Sequence, residues 1–207
     1  MKKMLAALTG AAFAAALFVT PAAAADKAEL LRDANATVNN MKKDAAFAIA
    51  ARMLRDARGV YIVPNLIKGG FIFGAEGGSG VLLRRTGNGW GEPKFYDMAS
   101  ASFGLQAGLQ QAQLVFIINS DRALRGIESG NFKIGGQAGI TVVTLSSGAE
   151  GATTARGGDM VVWTSGTGLY GGLSFNGSVI TPDKTLNATP TTGPLAQTLR
   201  SNLATVR

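Results

Sequence analysis

Three arginines at three-residue intervals, Arg52, Arg55 and Arg58, are the side chains of this sequence best spaced to act together. At about 100° per residue they fall on one side of a helix, with Asp44 and Asp56. Phe47, Ile49, Ala50, Met53, Leu54 and Ala57 take the other side. A cationic face opposed to an apolar one suits the surface of an anionic bilayer, where each basic residue contributes about 1 kcal/mol at low salt. The same pattern also describes a helix docked on a sheet by its apolar side, with Arg52 and Asp56 as an ordinary i,i+4 pair in solvent. Docking of that kind still leaves the arginines able to meet headgroups. Lys42-Lys43 before this helix and Lys68 after the next strand would extend the patch. Arg84-Arg85 ends a strand, either gripping a phosphate or simply solvated. Neighbouring strand residues point to opposite faces, so only one of the two can serve a given site.

Catalytic chemistry has little to work with. The chain contains neither histidine nor cysteine, which excludes Ser-His-Asp and Cys-His nucleophiles, zinc sites ligated by His or Cys, and the usual base near neutral pH. Glu76, Glu92, Asp97 and Asp159 are the carboxylates of the β-rich part, and nothing in their spacing pairs them as a glycosidase requires. The glycine cluster at residues 74–80 has neither the P-loop pattern nor a G-x-G-x-x-G leading into a helix, so no nucleotide is expected. The Gly77-Gly78 amides offer an anion nest, but the charge of Glu76 beside them opposes it. Gln106, Gln110 and Gln111 with Ser100 and Ser102 suit a polar groove or simple ladder positions equally well. No enzyme, cofactor or metal is expected.

The chain of 207 residues opens with Met1-Lys2-Lys3, an apolar run over residues 4–19, and Pro21 followed by alanines. This is the pattern of a secretory signal peptide over residues 1–25, cut before Asp26; an uncleaved membrane anchor is the alternative. The remainder is expected to form one domain, residues 26–207, with its own core. Without cysteine the fold has no disulfides, and a lipid-modified N-terminal cysteine is excluded. The net charge of +7, two of it from Lys2 and Lys3, points on an exported chain to anionic lipid, polysaccharide or envelope surfaces. Nucleic acid is disfavoured, because the basic residues are not interleaved with stacking aromatics. Three Asn-x-Ser/Thr triplets, at Asn35, Asn176 and Asn187, are taken as coincidence on a chain whose leader looks bacterial.

Helical spacing from Leu30 to Met41, interrupted at Asn39-Asn40 and Lys42-Lys43, predicts a first helix begun by Asp26. A second is predicted from Asp44 to Gly59. Strands are expected at 60–63, ending at Pro64, and on either side of a turn at Glu76-Gly77-Gly78. A loop is expected over 84–91, anchored by Trp90, and further strands at 103–109 and 114–118. Ser120 or Asp121 caps a short helix over 122–128 closed by Gly130. Residues 132–145 are apolar and β-prone and precede a polar loop over 146–158. Residues 160–163 and 169–180 read as a closing hairpin, and Leu195, Leu199, Leu203 and Val206 as the stripe of a last helix. Recurrent glycine in strand-like sequence marks bends or close backbone approach.

Several of these segments resemble one family. Ile67-Lys68-Gly69-Gly70-Phe71 through Gly80-Val81-Leu82-Leu83, the run from Ala99 to Gly108, Trp90 between them, and Gly168-Leu169-Tyr170-Gly171-Gly172-Leu173-Ser174-Phe175-Asn176-Gly177-Ser178 are similar to the SYLF domain. The resemblance covers about residues 45–187 and leaves out the first and last helices. It implies a non-catalytic lipid-binding domain; eukaryotic members bind phosphoinositides, and some bind actin. For an exported, periplasmic chain only generic binding of anionic phospholipid carries over. The expectation is an α+β fold: a curved, mostly antiparallel sheet, a partly closed barrel or sandwich, with N-terminal helices and a C-terminal helix packed on it. Binding is expected through Lys42, Lys43, Arg52, Arg55, Arg58, Lys68, Arg84 and Arg85. The alternatives are a structural or protein-interaction role in the cell envelope and, less in keeping with the terminal helices, an outer-membrane barrel.

Overall fold

In the computed structural model, which describes residues 26–70, 73–87, 89–103, 108–130, 132–135, 140–145, 158–165 and 177–206, helix formation begins at Asp26. Its carboxylate accepts from the Ala28 N–H at 3.0 Å and starts α1, Lys27–Lys43. Leu30, Leu31, Ala34, Val38 and Met41 recur at helical spacing and are buried. The Asn39-Asn40 pair does not interrupt the helix, because both residues lie on its exposed side. Asp44 leaves the helical region at ψ 147 and accepts from the Ala46 N–H at 2.8 Å. That turn delays α2 to Phe47–Asp56, shorter at both ends than the spacing predicts.

Nine strands follow among the described residues: β1 (Gly59–Gly70), β2 (Phe73–Thr86), β3 (Gly89–Trp90), β4 (Lys94–Phe103), β5 (Gly108–Ile118), β6 (Phe132–Lys133), β7 (Val142–Leu145), β8 (Met160–Ser165) and β9 (Val179–Pro182). They form one sheet in the order β6-β9-β4-β2-β1-β5-β8-β7, with β3 paired to the end of β2. All pairings are antiparallel except β7 with β8. Helix α3, Asp121–Glu128, is capped by Ser120, and Gly130 beyond it sits at φ +83. A single 3-10 turn at Leu186–Ala188 precedes α4, Pro194–Ala204.

The sheet is curled. Flat, its eight-strand path would set β6 about 34 Å from β7 at the normal strand spacing. The chain from Lys133 to Val142 reaches at most about 32 Å fully extended and also turns at Gly135, which has φ +74. The concave face encloses Tyr61, Leu66, Met98, Leu114, Phe116, Phe132, Ile134 and Ile180, with α3 lodged against them. The convex face carries Val60, Ile62, Val81, Phe95, Val115 and Trp163 beneath α1, α2 and α4. A membrane-spanning barrel turns its convex face to lipid; here helices cover it. No described helix is long and apolar enough to cross a membrane.

Several segments depart from the sequence reading. The loop expected over 84–91 holds the end of β2 and all of β3, paired as Arg85 with Trp90 and Thr86 with Gly89. The strand expected to stop at Pro64 continues to Gly70, because Pro64 and Asn65 form a bulge. Between Val63 and Leu66 β1 holds one residue more than β5 does between Leu114 and Ala112, so the missing proline N–H falls where the ladder is broken. Glu76-Gly77-Gly78 is not a turn but mid-strand in β2. There a Cβ on Gly78 would come within 2.6 Å of the Asn65 carbonyl, and one on Gly80 within 2.5 Å of the Tyr61 ring. Glycine is needed at both for close approach. Of the strand expected over 103–109, Phe103 ends β4 and Gly108 begins β5, while residues 104–107 lie outside the described residues. Finally β8 lies between β5 and β7, and β9 between β4 and β6; residues 166–176, which hold most of the second arm of the expected closing hairpin, lie outside the described residues. Residues 1–25 and 146–157, which hold the expected leader and polar loop, lie outside the described residues.

Candidate functional site

The cationic face begins with how α2 is held. Ala50, Ala51 and Leu54 are buried, and Phe47, Ile49 and Met53 pack half-buried on the convex core. The apolar side is therefore spent on the sheet, and Arg52 and Arg55 stand exposed on the side away from it. The helix ends at Asp56, so Arg58 is not part of its face. It belongs to the link into β1, where its N–H donates to the Ile118 carbonyl at 2.7 Å and its carbonyl accepts from the Arg85 N–H at 2.8 Å. Its exposed guanidinium is 3.8 Å from Asp121. Arg52 and Asp56 make no ion pair.

Arg84 and Arg85 diverge as strand alternation requires. Arg84 turns to α3 and meets Glu128 at 2.9 Å. Arg85 turns to the helix layer, with its guanidinium 3.9 Å from the centre of the Trp90 ring. It donates to the carbonyls of Leu54 and, at 3.3 Å, Ala57. The Leu54 carbonyl is among the last of α2, which lack partners within the helix, and Ala57 is the residue just beyond its end. Burial lowers the Arg85 pKa, and the charge of Asp56 opposes that shift. Arg85 thus closes the C-terminal end of α2.

The lysines divide similarly. Lys42 donates to the Asn202 side chain, to its backbone carbonyl at 2.8 Å and to Thr205 Oγ1 at 2.9 Å. It caps α4 from α1, and burial lowers its pKa. Lys43 is exposed. Lys68 occupies β1 opposite Glu76 and Gln110, whereas Arg84 pairs with Gly59 at the other end of that strand, about 30 Å away. The eight cations therefore do not form one patch. Lys43, Arg52 and Arg55 remain exposed near α2, with Arg58 exposed but 3.8 Å from Asp121; Lys42 and Arg85 hold helix ends, Arg84 is paired with Glu128 at 2.9 Å on the α3 side, and Lys68 is distant.

The carboxylates are engaged one by one. Asp97 accepts from Ser79 at 2.7 Å. The Thr191 N–H holds Glu92 below the usual carboxylate range, assisted by Lys94. Hydrogen bonds from Ser120 and from the Thr141 N–H do the same for Asp159. Glu76 is buried at 5 % exposure, and alternation along the unbroken β2–β4 register puts it on the concave face with Gly78, Gly80 and Leu82. Of the glutamines and serines read as a groove, Gln111 reaches a cleft, together with Asp33, Asn65, Gln113 and Ser165, which sequence alone did not single out. Their convergence depends on the bulge, for which Pro64 was the available signal.

The family model described as "Ysc84: Las17-binding protein actin regulator" matches residues 99–190. SH3 domain-containing YSC84-like protein 1 of Bos taurus is 33% identical over 142 residues, 67% of this chain and 41% of that protein. Protein YSC84 of Saccharomyces cerevisiae is 34% identical over 133 residues, 62% of this chain and 28% of that protein. LAS seventeen-binding protein 3 of the same yeast is 32% identical over 133 residues, 62% of this chain and 29% of that protein. The chain thus spans at most about two fifths of the length of these curated relatives. No solved structure matches. Residues 99–190 thus match the Ysc84 (SYLF) family model, and the alignments with the curated relatives extend that similarity over about two thirds of this chain.

Proposed function

We propose that this chain is an exported, non-catalytic protein that associates with anionic phospholipid through the exposed cations around α2. One observation carries the reading. Docking of the apolar side of α2 fixes Arg52 and Arg55 outward, with Lys43 and Arg58 exposed nearby. A rigid helix presenting arginines meets phosphates with little ordering cost. The apolar side is covered, so association is peripheral and electrostatic and falls with salt. Export rests on the leader pattern of residues 1–25, which implies a periplasmic location.

Flotation of the chain from residue 26 onward with phosphatidylglycerol-containing and neutral vesicles tests this. Binding is expected to the anionic vesicles alone. It should weaken on the order of a hundredfold when Arg52, Arg55 and Arg58 all become glutamine. Binding that ignores salt and the three substitutions would sink the lipid reading. The matching family, described as a Las17-binding protein actin regulator, favours a second one: the same face meets an acidic protein surface as an interaction component of the envelope. That reading predicts loss of a protein complex, with no vesicle binding, in the same triple variant.

A further inference from the structure

Beside the bulge at Pro64-Asn65 a cleft of 290 Å³ lies between α1 and the sheet, on its convex side. Asp33 of α1, Asn65 of the bulge, Gln113 of β5 and Ser165 of β8 line it. Gln113 is fixed in orientation: its Oε1 accepts from Asn40 Nδ2 at 3.0 Å and from Ser165 Oγ at 3.2 Å. The Nε2 donors are left for a ligand. The Asp33 carboxylate makes no ion pair among the described residues. No lysine or arginine lines the cleft, although the chain carries +7 overall. The site therefore offers one anionic acceptor and several neutral donors, a set that suits an ammonium joined to a phosphate better than a net anion.

An apolar ledge adjoins it. Ile67 pairs in register with Gln111, which lines the cleft. At 42% exposure Ile67 is the exposed large hydrophobic residue of the described chain. Ala75 and Ala99 are exposed on the same face and keep it low and smooth. A polar cleft of headgroup size opening onto an apolar shelf matches an amphiphile.

We propose that this cleft binds the zwitterionic headgroup of a single phospholipid of the phosphoethanolamine type. The ammonium lies at Asp33, the phosphate oxygens at the Gln113 and Asn65 amides, and an acyl chain along Ile67. The proposal rests on the membrane reading only for placing the protein beside lipid; its residues are separate from the arginine face.

Monomeric dihexanoylphosphatidylethanolamine, dihexanoylphosphatidylglycerol and glycerophosphoethanolamine, each titrated into the chain from residue 26 onward and followed by amide chemical shifts, form the test. Saturable binding of the ethanolamine lipid is expected, about tenfold tighter than that of the glycerol lipid, the scale of one charge-assisted hydrogen bond. Asp33→Asn should erase that preference. Ile67→Ser should weaken the dihexanoyl lipid and leave the headgroup compound unchanged. Equal affinity for the two lipids, indifference to Asp33→Asn, or no saturable binding at millimolar lipid overturns the proposal. Flotation on anionic vesicles should be unchanged in Asp33→Asn, so failure of the cleft and failure of the arginine face read out separately.

Discussion

The Arg85 guanidinium lies over the Trp90 ring, 3.9 Å from its centre, and donates from there to the Leu54 carbonyl of α2. One side chain thus joins the end of β2, the β3 tryptophan and the C-terminal end of the helix that carries the exposed arginines. Arg85→Gln is expected to cost about 2 kcal/mol, the value of charge-assisted bonds to otherwise orphaned carbonyls, read from urea unfolding. Loss of vesicle binding with unchanged stability would instead make Arg85 a lipid ligand.

Lys42 and Lys43 are adjacent and should behave oppositely. Lys42→Met removes the cap on the last turn of α4 and is expected to cost about 1 kcal/mol, with faster hydrogen exchange in α4. Lys43→Met should leave stability unchanged and weaken flotation on anionic vesicles about fivefold. Equal effects of the two on both measurements contradict the assignment.

Gly80 has no room for a side chain. Its Cβ would meet the Tyr61 ring at 2.5 Å and the Ile62 carbonyl at 2.6 Å, and Tyr61 is locked by a hydrogen bond to the Tyr96 carbonyl at 3.0 Å. Gly80→Ala is expected to cost about 3 kcal/mol. Gly89→Ala, whose nearest new neighbour would be 3.9 Å away, should change the melting temperature little.

Acid should weaken the fold partly through Glu92. Its pKa is lowered in the folded chain, chiefly by the Thr191 N–H, so the folded state favours the ionised carboxylate. That contribution is complete above the ordinary glutamate value and disappears as pH falls through the lowered one. Glu92→Gln should therefore lower the melting temperature at pH 7. The gap to the unaltered chain should close as pH drops below about 4. A gap that persists at the lowest pH would show that the substitution acts through packing.

How much of this was legible depends on the range of the force involved. Leu199, Leu203 and Val206 announced their burial by spacing alone, and the cap of α3 was narrowed to Ser120 or Asp121, of which Ser120 holds it. Helix periodicity and capping act within a few residues. Strand edges were harder. The β4–β5 boundary fell inside an apolar run, and one of the two partners of β8 is β5, more than forty residues earlier. Pro64 was legible as a ladder break but not as a bulge, because a bulge exists only relative to the strands beside it.

The same division governs the candidate site. The sequence by itself determined the absence of histidine and cysteine chemistry, the amphipathic character of α2 and the rule that Arg84 and Arg85 must face apart. Only the tertiary structure decided which cations are available. Lys42 and Arg85 cap helices distant in sequence, Arg84 meets Glu128, Lys68 lies at the far end of β1, and Lys43, Arg52, Arg55 and Arg58 stay exposed. Charge is a property of a residue, and its availability is a property of the surroundings. Orphaned helix carbonyls and nearby carboxylates claim the cations that folding brings within reach.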